Sequence, residues 1–382
     1  LNFLRNIHYK FTLIYMDNDK SLSKQIKQAD KAKCDILLIV GNDEISNNTF
    51  TVKHLKHDKK DQNITFKNYL LFVSFFPQLI AGPIVKHNEL IPQISNIYFS
   101  ISSQNFNMGF IIFTIGLFKK VFIADNLAIF ADVIFNENIF ISNYTSIELW
   151  FGLICYSFQI YFDFSGYSDM AIGLALLINI KLPLNFNSPY KKENIFLFWK
   201  NWHITLSRFI NNYIFNYISY SLTKYSIINQ YGKVKEFIFV IIAPIMISFI
   251  LSGFWHGASW NFIIWGFFHA IFIIFYQLNK SFIKIKFNKI FSIFLTFFCV
   301  TIAWVPFRTV DFEHMLNFYV GLFNIYNIIN FDNLDSELFF SRNIKFDGLS
   351  ILTISFIVIF FLPNIHNFLK LNFNKIQSIL FQ

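Results

Sequence analysis

Long apolar runs recur through most of the chain, and each is bounded by polar or basic residues. They are Phe106–Ala124, Ile147–Ile180, Phe237–Phe254, Ser259–Leu278, Ile290–Phe307 and Leu349–Leu362. A helix needs about 20 predominantly apolar residues to cross a bilayer, and several of these runs are long enough. The pattern therefore predicts a mainly α, multi-pass membrane domain over residues 66–382.

The first 62 residues follow a different pattern. Alternating residues predict a strand at Tyr9–Met16, and a polar stretch that Ser21 can cap predicts a helix at Ser21–Lys33. Two further strands are predicted at Asp35–Val40 and Thr49–Leu55. This order, β-α-β-β, is typical of a short N-terminal α/β fragment, and we place its boundary with the membrane domain near residues 62–66.

Composition and charge support this division. The 382 residues are 54% hydrophobic and only 14% charged, whereas ordinary soluble domains are about 25% charged. The net charge of +9 does not indicate nucleic-acid binding, because the basic residues of the larger part flank apolar runs. By the positive-inside rule the clusters Lys224–Lys235 and Lys280–Lys289 are cytoplasmic loops. The intervening turn at Gly253–Ser259 then lies deep in the membrane or toward its far side.

Three stretches place polar side chains in apolar surroundings. The first is SFFPQLIAGPIVKHNELIPQI, where prolines and a glycine exclude a straight helix and Gln78 can line a cavity. An interfacial loop is the simpler alternative. The second contains Asp163 and Asp169, which are costly in a membrane and usually face the interior of a helix bundle.

Further along the second stretch, FWKNWHITLSRFINNY predicts one helix with a polar stripe formed by Asn201, Thr205, Arg208 and Asn212. His203 lies on another face of this helix. A solvated helix face would produce the same pattern, although the surrounding aromatic residues argue against full solvation.

The third stretch, LSGFWHGASWNFIIWGFFHA, carries no formal charge but holds His256 and His269. A buried histidine is often only a structural hydrogen-bonding residue. In this tight sequence, with Trp255 before it and Gly257 after it, a neutral His256 can also accept a proton from a hydroxyl group.

These blocks resemble the membrane-bound O-acyltransferase (MBOAT) family, in its bacterial branch of alginate and peptidoglycan O-acetyltransferases. The matching strings are SFFPQLIAGPIV, QIYFDFSGYSDMAIGLA, PLNFNSPY, FWKNWHITLS, LSGFWHGASWNFIIWGFFHA and AWVPFR. The resemblance implies acyl transfer from a thioester to a hydroxyl group inside a membrane tunnel, without a bound cofactor or metal. The resemblance implies that His256 corresponds to the essential histidine of the family and that His203 corresponds to a second functional position.

A specific function follows from this resemblance. The expected enzyme, in the bacterial inner membrane, transfers acetyl from acetyl-CoA toward an extracytoplasmic polysaccharide, with His256 as general base and a periplasmic acetyltransferase as partner. Asn201, His203 or a tryptophan can donate to the developing oxyanion, and Arg208 and the basic loops can hold the coenzyme phosphates. The expected tunnel-lining residues are Asn201, Arg208, Asp163, Asp169, Trp255 and Gln78.

The N-terminal fragment has a resemblance of its own. Residues 4–62, with SLSKQIKQADKAKCDILLIVGNDEISNNTFTVKHL, resemble part of the anticodon-binding domain of histidyl-tRNA synthetase. This fragment occupies the place where MBOAT members usually have their first membrane helices. Three alternatives to an active acyltransferase remain. The first is an inactive truncated fusion that carries a synthetase remnant, and the second is a transporter or channel in which Asp163, Asp169 and Arg208 line a path. The third is a tRNA-binding module on a membrane anchor, which would need a complete anticodon-binding domain.

Overall fold

The fold is taken from a computed structural model, which describes residues 36–39, 51–54, 66–79, 82–95, 102–136, 141, 144–324, 347–367 and 369. The chain divides into two compact units, Leu1–Tyr69 and Leu70–Gln382. In the first unit, β1 (Ile36–Ile39) pairs antiparallel with β2 (Thr51–His54), and Ile36 lies opposite His54. The strand predicted at Tyr9–Met16 and the helix at Ser21–Lys33 lie outside the described residues.

The described part of the second unit is helical. In chain order its helices, the first of which begins in the first unit, are α1 (Phe66–Val73), α2 (Phe76–Leu79), α3 (His87–Ser95), α4 (Ser103–Ile134), α5 (Ser146–Leu177), α6 (Ile195–Asn201), α7 (Ile204–Ile210), α8 (Asn216–Ile228), α9 (Lys233–His256), α10 (Trp260–Ile283), α11 (Lys289–Arg308), α12 (Phe312–Leu322) and α13 (Gly348–Phe360). Within the described residues, α4, α9, α10 and α11 are long and apolar enough to cross a membrane. The prediction of a mainly α membrane protein is therefore confirmed.

The antiparallel pair α4 and α5 forms the largest contact between helices. A Cβ atom added to Gly109 would lie 2.7 Å from the carbonyl oxygen of Gly173, and one on Gly116 would lie 2.7 Å from that of Gly166. The two helix backbones touch at both levels because none of these four residues has a side chain. The exposed face of α5 is small, since most of its length is buried in the core.

Helix α4 continues past Ala124, where the apolar run ends, to Ile134. A π-helical segment at Phe118–Ala124 accommodates the charged residues there. Lys119 is paired with Asp169 of α5, with 2.6 Å between Nζ and Oδ2, so its charge does not end the helix. The apolar run Phe106–Ala124 therefore lies within a longer helix, which also contains Asp125–Ile134.

Helices α9 and α10 form a second close pair, which joins at the predicted turn. A Cβ atom on Gly253 would lie 2.2 Å from the carbonyl oxygen of Phe262, and one on Gly266 would lie 2.3 Å from that of Phe249. At the opposite end of the pair, the rings of Phe237 and Phe282 are 5.0 Å apart. The basic residues around positions 233–235 and 280–284 therefore lie at one end of this pair, and His256 lies at the other.

Candidate active site

His203 occupies a break between α6 and α7, and α7 continues through a π-helical segment at Asn211–Phe215 into α8. Helix α6 ends at Asn201, and His203 adopts a left-handed backbone conformation with φ 41° and ψ 55° before α7 begins at Ile204. The single helix predicted through Asn201, Thr205, Arg208 and Asn212 is therefore wrong. The break is held by an extended segment, because the Ile204 N–H donates to the Asn185 carbonyl oxygen at 2.9 Å.

Asn185 organises the side chains at this break and is fully buried. Its Oδ1 accepts hydrogen bonds from the Thr205 hydroxyl at 2.9 Å and from the Thr205 N–H at 3.2 Å, and it lies 3.1 Å from Nδ1 of His203. Its Nδ2 donates to the Ser168 hydroxyl at 3.1 Å. Since Oδ1 can only accept, Nδ1 of His203 carries a hydrogen and the Nε2 lone pair is available as a proton acceptor.

The surroundings of His203 keep it neutral. Its ring meets the edge of Phe164, with centroids 4.6 Å apart, and stacks on Phe186 at 6.3 Å. Burial, followed by the charge that His256 can carry, lowers the pKa of His203 to about 3. His256 therefore lies within electrostatic range of His203, although 53 residues separate them in the sequence.

His256 is the last residue of α9 and is held between aromatic rings. The centroids of Trp265 and Phe307 each lie 5.1 Å from that of the imidazole, in edge-to-face arrangements. A Cβ atom on Gly257 would lie 2.6 Å from the ring of Phe262, so the turn after His256 requires a glycine for its close packing. The imidazole position is thereby set by α9, α10 and α11 together.

An aromatic layer connects the surroundings of the two histidines. The ring of Trp202 lies 5.1 Å from Phe186 and 5.2 Å from Trp304, and Trp304 stacks on Trp265 at 6.2 Å. Trp202, Trp265 and Trp304 are all buried. The two imidazoles therefore lie in a low-polarity environment, in which electrostatic interactions are stronger than in water.

The loop before α3 is fastened to α7 beside this site. Thr205 accepts a hydrogen bond from the Ile84 N–H at 3.0 Å. Arg208 contacts both carboxylate oxygens of Glu89, from Nη1 at 2.9 Å and from Nη2 at 3.0 Å. Arg208 therefore holds this loop in place with the same guanidinium nitrogens that would contact a phosphate.

The remaining predicted site residues do not meet at the histidines through any described contact. Asn201 donates to the Leu197 carbonyl of its own helix, Gln78 donates to that of Phe72, and Trp255 is 65% exposed. Asp163 pairs with Lys120 at 2.7 Å. Asp169 contacts Lys119 and also His366, whose Nε2 lies 2.7 Å from Oδ1, so it links α4, α5 and the segment after α13.

Sequence reasoning missed Asn185, although it lies in the block PLNFNSPY. The signal was an amide between two apolar residues, Leu184 and Phe186, just before a proline turn. A buried amide needs hydrogen-bond partners, and this one finds them on α5 and α7. These partners are distant in the sequence, so the role of Asn185 becomes visible only in the fold.

Comparison with known proteins identifies the relatives of this chain. The family profile described as "MBOAT, membrane-bound O-acyltransferase family" matches residues 8–309. The peptidoglycan O-acetyltransferase of Helicobacter pylori is 44% identical over 279 residues, which are 71% of this chain and 49% of the relative. The probable alginate O-acetylase AlgI of Azotobacter vinelandii is 35% identical over 257 residues, 67% of this chain and 48% of that protein.

A more distant relative is the teichoic acid D-alanyltransferase of Bacillus subtilis, which is 28% identical over 271 residues, 66% of this chain and 64% of that protein. The chain spans about half the length of the first two relatives. The profile also covers most of residues 4–62, for which the resemblance to a synthetase stays a prediction. A match over residues 8–309 covers most of the chain, which therefore belongs to the membrane-bound O-acyltransferase family.

Proposed function

We propose that this protein is an O-acetyltransferase that moves an acetyl group from acetyl-CoA toward a hydroxyl group of a polysaccharide outside the cytoplasm. Its family, and two relatives named for acetylation of peptidoglycan and alginate, support this proposal. The observation that carries it is the aromatic layer that connects His203, oriented by Asn185, to His256. Two neutral imidazoles in an apolar site are suited to accept protons from weakly acidic hydroxyl groups.

The roles of the two histidines follow from their positions. His256 takes the proton of the acceptor hydroxyl as its oxygen attacks the thioester carbonyl carbon. It returns that proton to the thiolate when the carbon–sulfur bond breaks, so the products are an ester and a thiol. His203 accepts a hydrogen bond through Nε2 and orients the acceptor hydroxyl. A positioned base contributes about 10²–10⁴-fold to the rate.

The direction of transfer follows from the α9–α10 pair. We place its basic end in the bacterial cytoplasm by the positive-inside rule. Helix α9 has 24 residues and is about 36 Å long, so His256 then lies toward the extracytoplasmic side. The donor enters from the cytoplasm and acetyl leaves toward the outside, where a periplasmic acetyltransferase partner completes the transfer. Arg208 is already paired with Glu89, so other cations hold the coenzyme phosphates.

The carrier alternative loses support, because each residue that suggested a path is paired with another ionisable side chain. Asp169 is held by Lys119 and His366, Asp163 by Lys120, and Arg208 by Glu89. The alternative of an inactive fusion makes a different prediction, since it requires an intact fold without acetyl transfer. An activity measurement on this chain decides between that alternative and the proposal.

The test expresses the full chain in a bacterium that lacks its own membrane-bound O-acyltransferase but keeps the periplasmic acetyltransferase, and measures acetate released by mild alkali from the purified cell-wall polysaccharide. We expect acetylation with the unchanged chain, and about a 10²-fold or larger loss with His256→Ala and His203→Ala. His87→Ala, which removes an exposed histidine of α3, is the matched control and retains activity. Full acetylation by His256→Ala, or none by the unchanged and folded chain, would overturn the proposal.

A further inference from the structure

Two N–H groups are buried on one face of α10. Trp265 and His269 lie one turn apart, their ring centroids are 5.0 Å apart, and they are only 2% and 0% exposed. Neither Nε1 of Trp265 nor Nε2 of His269 has a hydrogen-bond partner among the residues that the structure describes. Buried polar groups in folded proteins are almost always hydrogen-bonded, so two neighbouring exceptions require an explanation.

Both groups are donors. The indole nitrogen of Trp265 can only donate. The Trp199 N–H donates to Nδ1 of His269 at 3.3 Å, which makes Nδ1 the acceptor and places the hydrogen of the neutral imidazole on Nε2. The missing partner is therefore a hydrogen-bond acceptor, such as a carbonyl oxygen, rather than a hydroxyl donor or a cation.

The location of these donors relates them to the reaction. The Trp265 ring meets the ring of His256 edge to face at 5.1 Å, and the ring of Phe307 borders both. Trp265 also contacts Trp304 of the aromatic layer. An acceptor bound at Nε1 of Trp265 thus lies beside His256 in an apolar enclosure, where a hydrogen bond to developing negative charge is strongest.

We propose that Trp265, supported by His269, donates a hydrogen bond to the carbonyl oxygen of the acyl thioester. The inference rests on the proposed acetyl transfer. When the acceptor hydroxyl oxygen bonds to the carbonyl carbon, its proton goes to His256 and the carbonyl π electrons move onto the oxygen at Trp265. When the carbonyl is restored, the carbon–sulfur bond breaks and the thiolate takes the proton from His256. Trp265 stabilises the oxyanion between these steps.

The test combines kinetics with infrared spectroscopy of the bound donor. Acetyl-CoA labelled with ¹³C at the acetyl carbonyl is bound to the purified full chain in detergent without an acceptor, because a hydrogen bond to this oxygen lowers its stretching frequency. We expect a lowered frequency with the unchanged protein and a value near that of free acetyl-CoA with Trp265→Phe. The same variant should lose about 10²–10³-fold in kcat, with little change in KM.

Trp260→Phe is the matched control, because Trp260 lies on the same helix and its indole is 73% exposed. It should leave both the frequency and kcat unchanged. Because Trp265→Phe can also disturb packing, 3-benzothienylalanine at position 265 provides a second variant that keeps the bicyclic shape and replaces the N–H with sulfur. Thermal unfolding of each variant identifies any loss of fold.

The outcomes separate the two proposals. If the unchanged protein shows no saturable binding of acetyl-CoA and no transfer, the proposed function fails and this inference fails with it. If it binds and transfers acetyl, but both position-265 variants keep the lowered frequency and the full kcat, only the inference is overturned. In that case the two N–H groups bind a structural water molecule instead.

Discussion

The side-chain oxygen of Asn185 lies 3.1 Å from Nδ1 of His203 and also accepts two hydrogen bonds from Thr205. This single amide therefore sets the orientation of an imidazole and fastens the start of α7. The left-handed conformation of His203 directs its ring toward Asn185 and away from the helix line. A histidine at a regular helical position would not make this combination of contacts.

Replacing Asn185 should show whether activity depends on the orientation of the His203 ring or only on its presence. We expect Asn185→Leu to lower acetyl transfer about 10²-fold, because His203 and Thr205 lose their common acceptor. Asn185→Asp keeps an oxygen facing His203 and should lose less. The measurement is acetate released from the polysaccharide, with Asn229→Ala at the exposed end of α8 as control. Full activity of Asn185→Leu would contradict this role.

The pKa of His203, lowered by burial from about 6.5 to about 3, predicts a specific pH dependence of stability. Below pH 6.5 the unfolded chain binds a proton at this position but the folded chain does not, so stability falls as the pH falls toward 3. The slope reaches about 1.4 kcal/mol per pH unit, and above pH 6.5 the group contributes nothing.

His203→Asn removes this proton while retaining a residue type that tolerates the left-handed conformation. Between pH 7 and pH 5, we expect the variant to lose about 2 kcal/mol less stability than the unchanged protein. Thermal unfolding in detergent at the two pH values measures the difference. His87→Asn, which makes the same substitution at an exposed histidine of α3, is the matched control. Equal pH dependences for His203→Asn and the unchanged protein would show that His203 is accessible to solvent.

The glycine contacts between α4 and α5 should be sensitive to a single methyl group. A Cβ atom at position 116 lies 2.7 Å from backbone atoms of Gly166 and Met170, so the two helices must separate in Gly116→Ala. We expect a loss of about 1–3 kcal/mol in the free energy of unfolding. Gly232→Ala, at a position with no atom within 4 Å of the added carbon, should change stability by less than about 0.5 kcal/mol. Similar stabilities of the two variants would refute this account.

The Arg208–Glu89 pair should show a measurable coupling free energy, because the guanidinium group contacts both carboxylate oxygens. A double-mutant cycle with Arg208→Ala and Glu89→Ala should give about 0.5–1 kcal/mol in thermal unfolding, since both side chains are about one-third exposed. The exposed pair Lys289–Glu193, with one contact at 3.5 Å, should give a coupling near zero. Equal coupling in both pairs would mean that Arg208 does not hold the loop.

Apolar runs predicted the membrane-spanning helices well, because hydrophobic length is a local property. The run Ser259–Leu278 begins at the N-cap residue of α10 and otherwise lies within that helix, and Ile290–Phe307 lies within α11. Charge was less informative, since the cost of burying Lys119 is offset by Asp169, which lies 50 residues away in the sequence. A local sequence pattern cannot predict an ion pair whose partner is brought close only by the fold.

The break at His203 was missed for the same reason. FWKNWHITLS has no proline or glycine, and its polar residues follow a helical period. The conformation depends instead on hydrogen bonds from Ile204 and Thr205 to Asn185, about 20 residues earlier. The motif singles out His203 as a candidate, and that choice stays a prediction, whereas the orientation of its ring could not be predicted from the sequence.

The reciprocal glycine contacts of α9 and α10 also limit how the site can adjust to its substrates. Gly253 and Gly266 bring the two backbones together at both levels, so neither helix can slide or rotate without a steric clash. His256 and Trp265, which lie on these two helices, are therefore held in fixed relative positions. Under the proposed function, adaptation to acceptors of different size then falls to the surroundings of His203, where α6 ends, α7 begins and Arg208 pairs with Glu89. Acceptor preference should therefore diverge among relatives through substitutions around α6, α7 and residues 82–89.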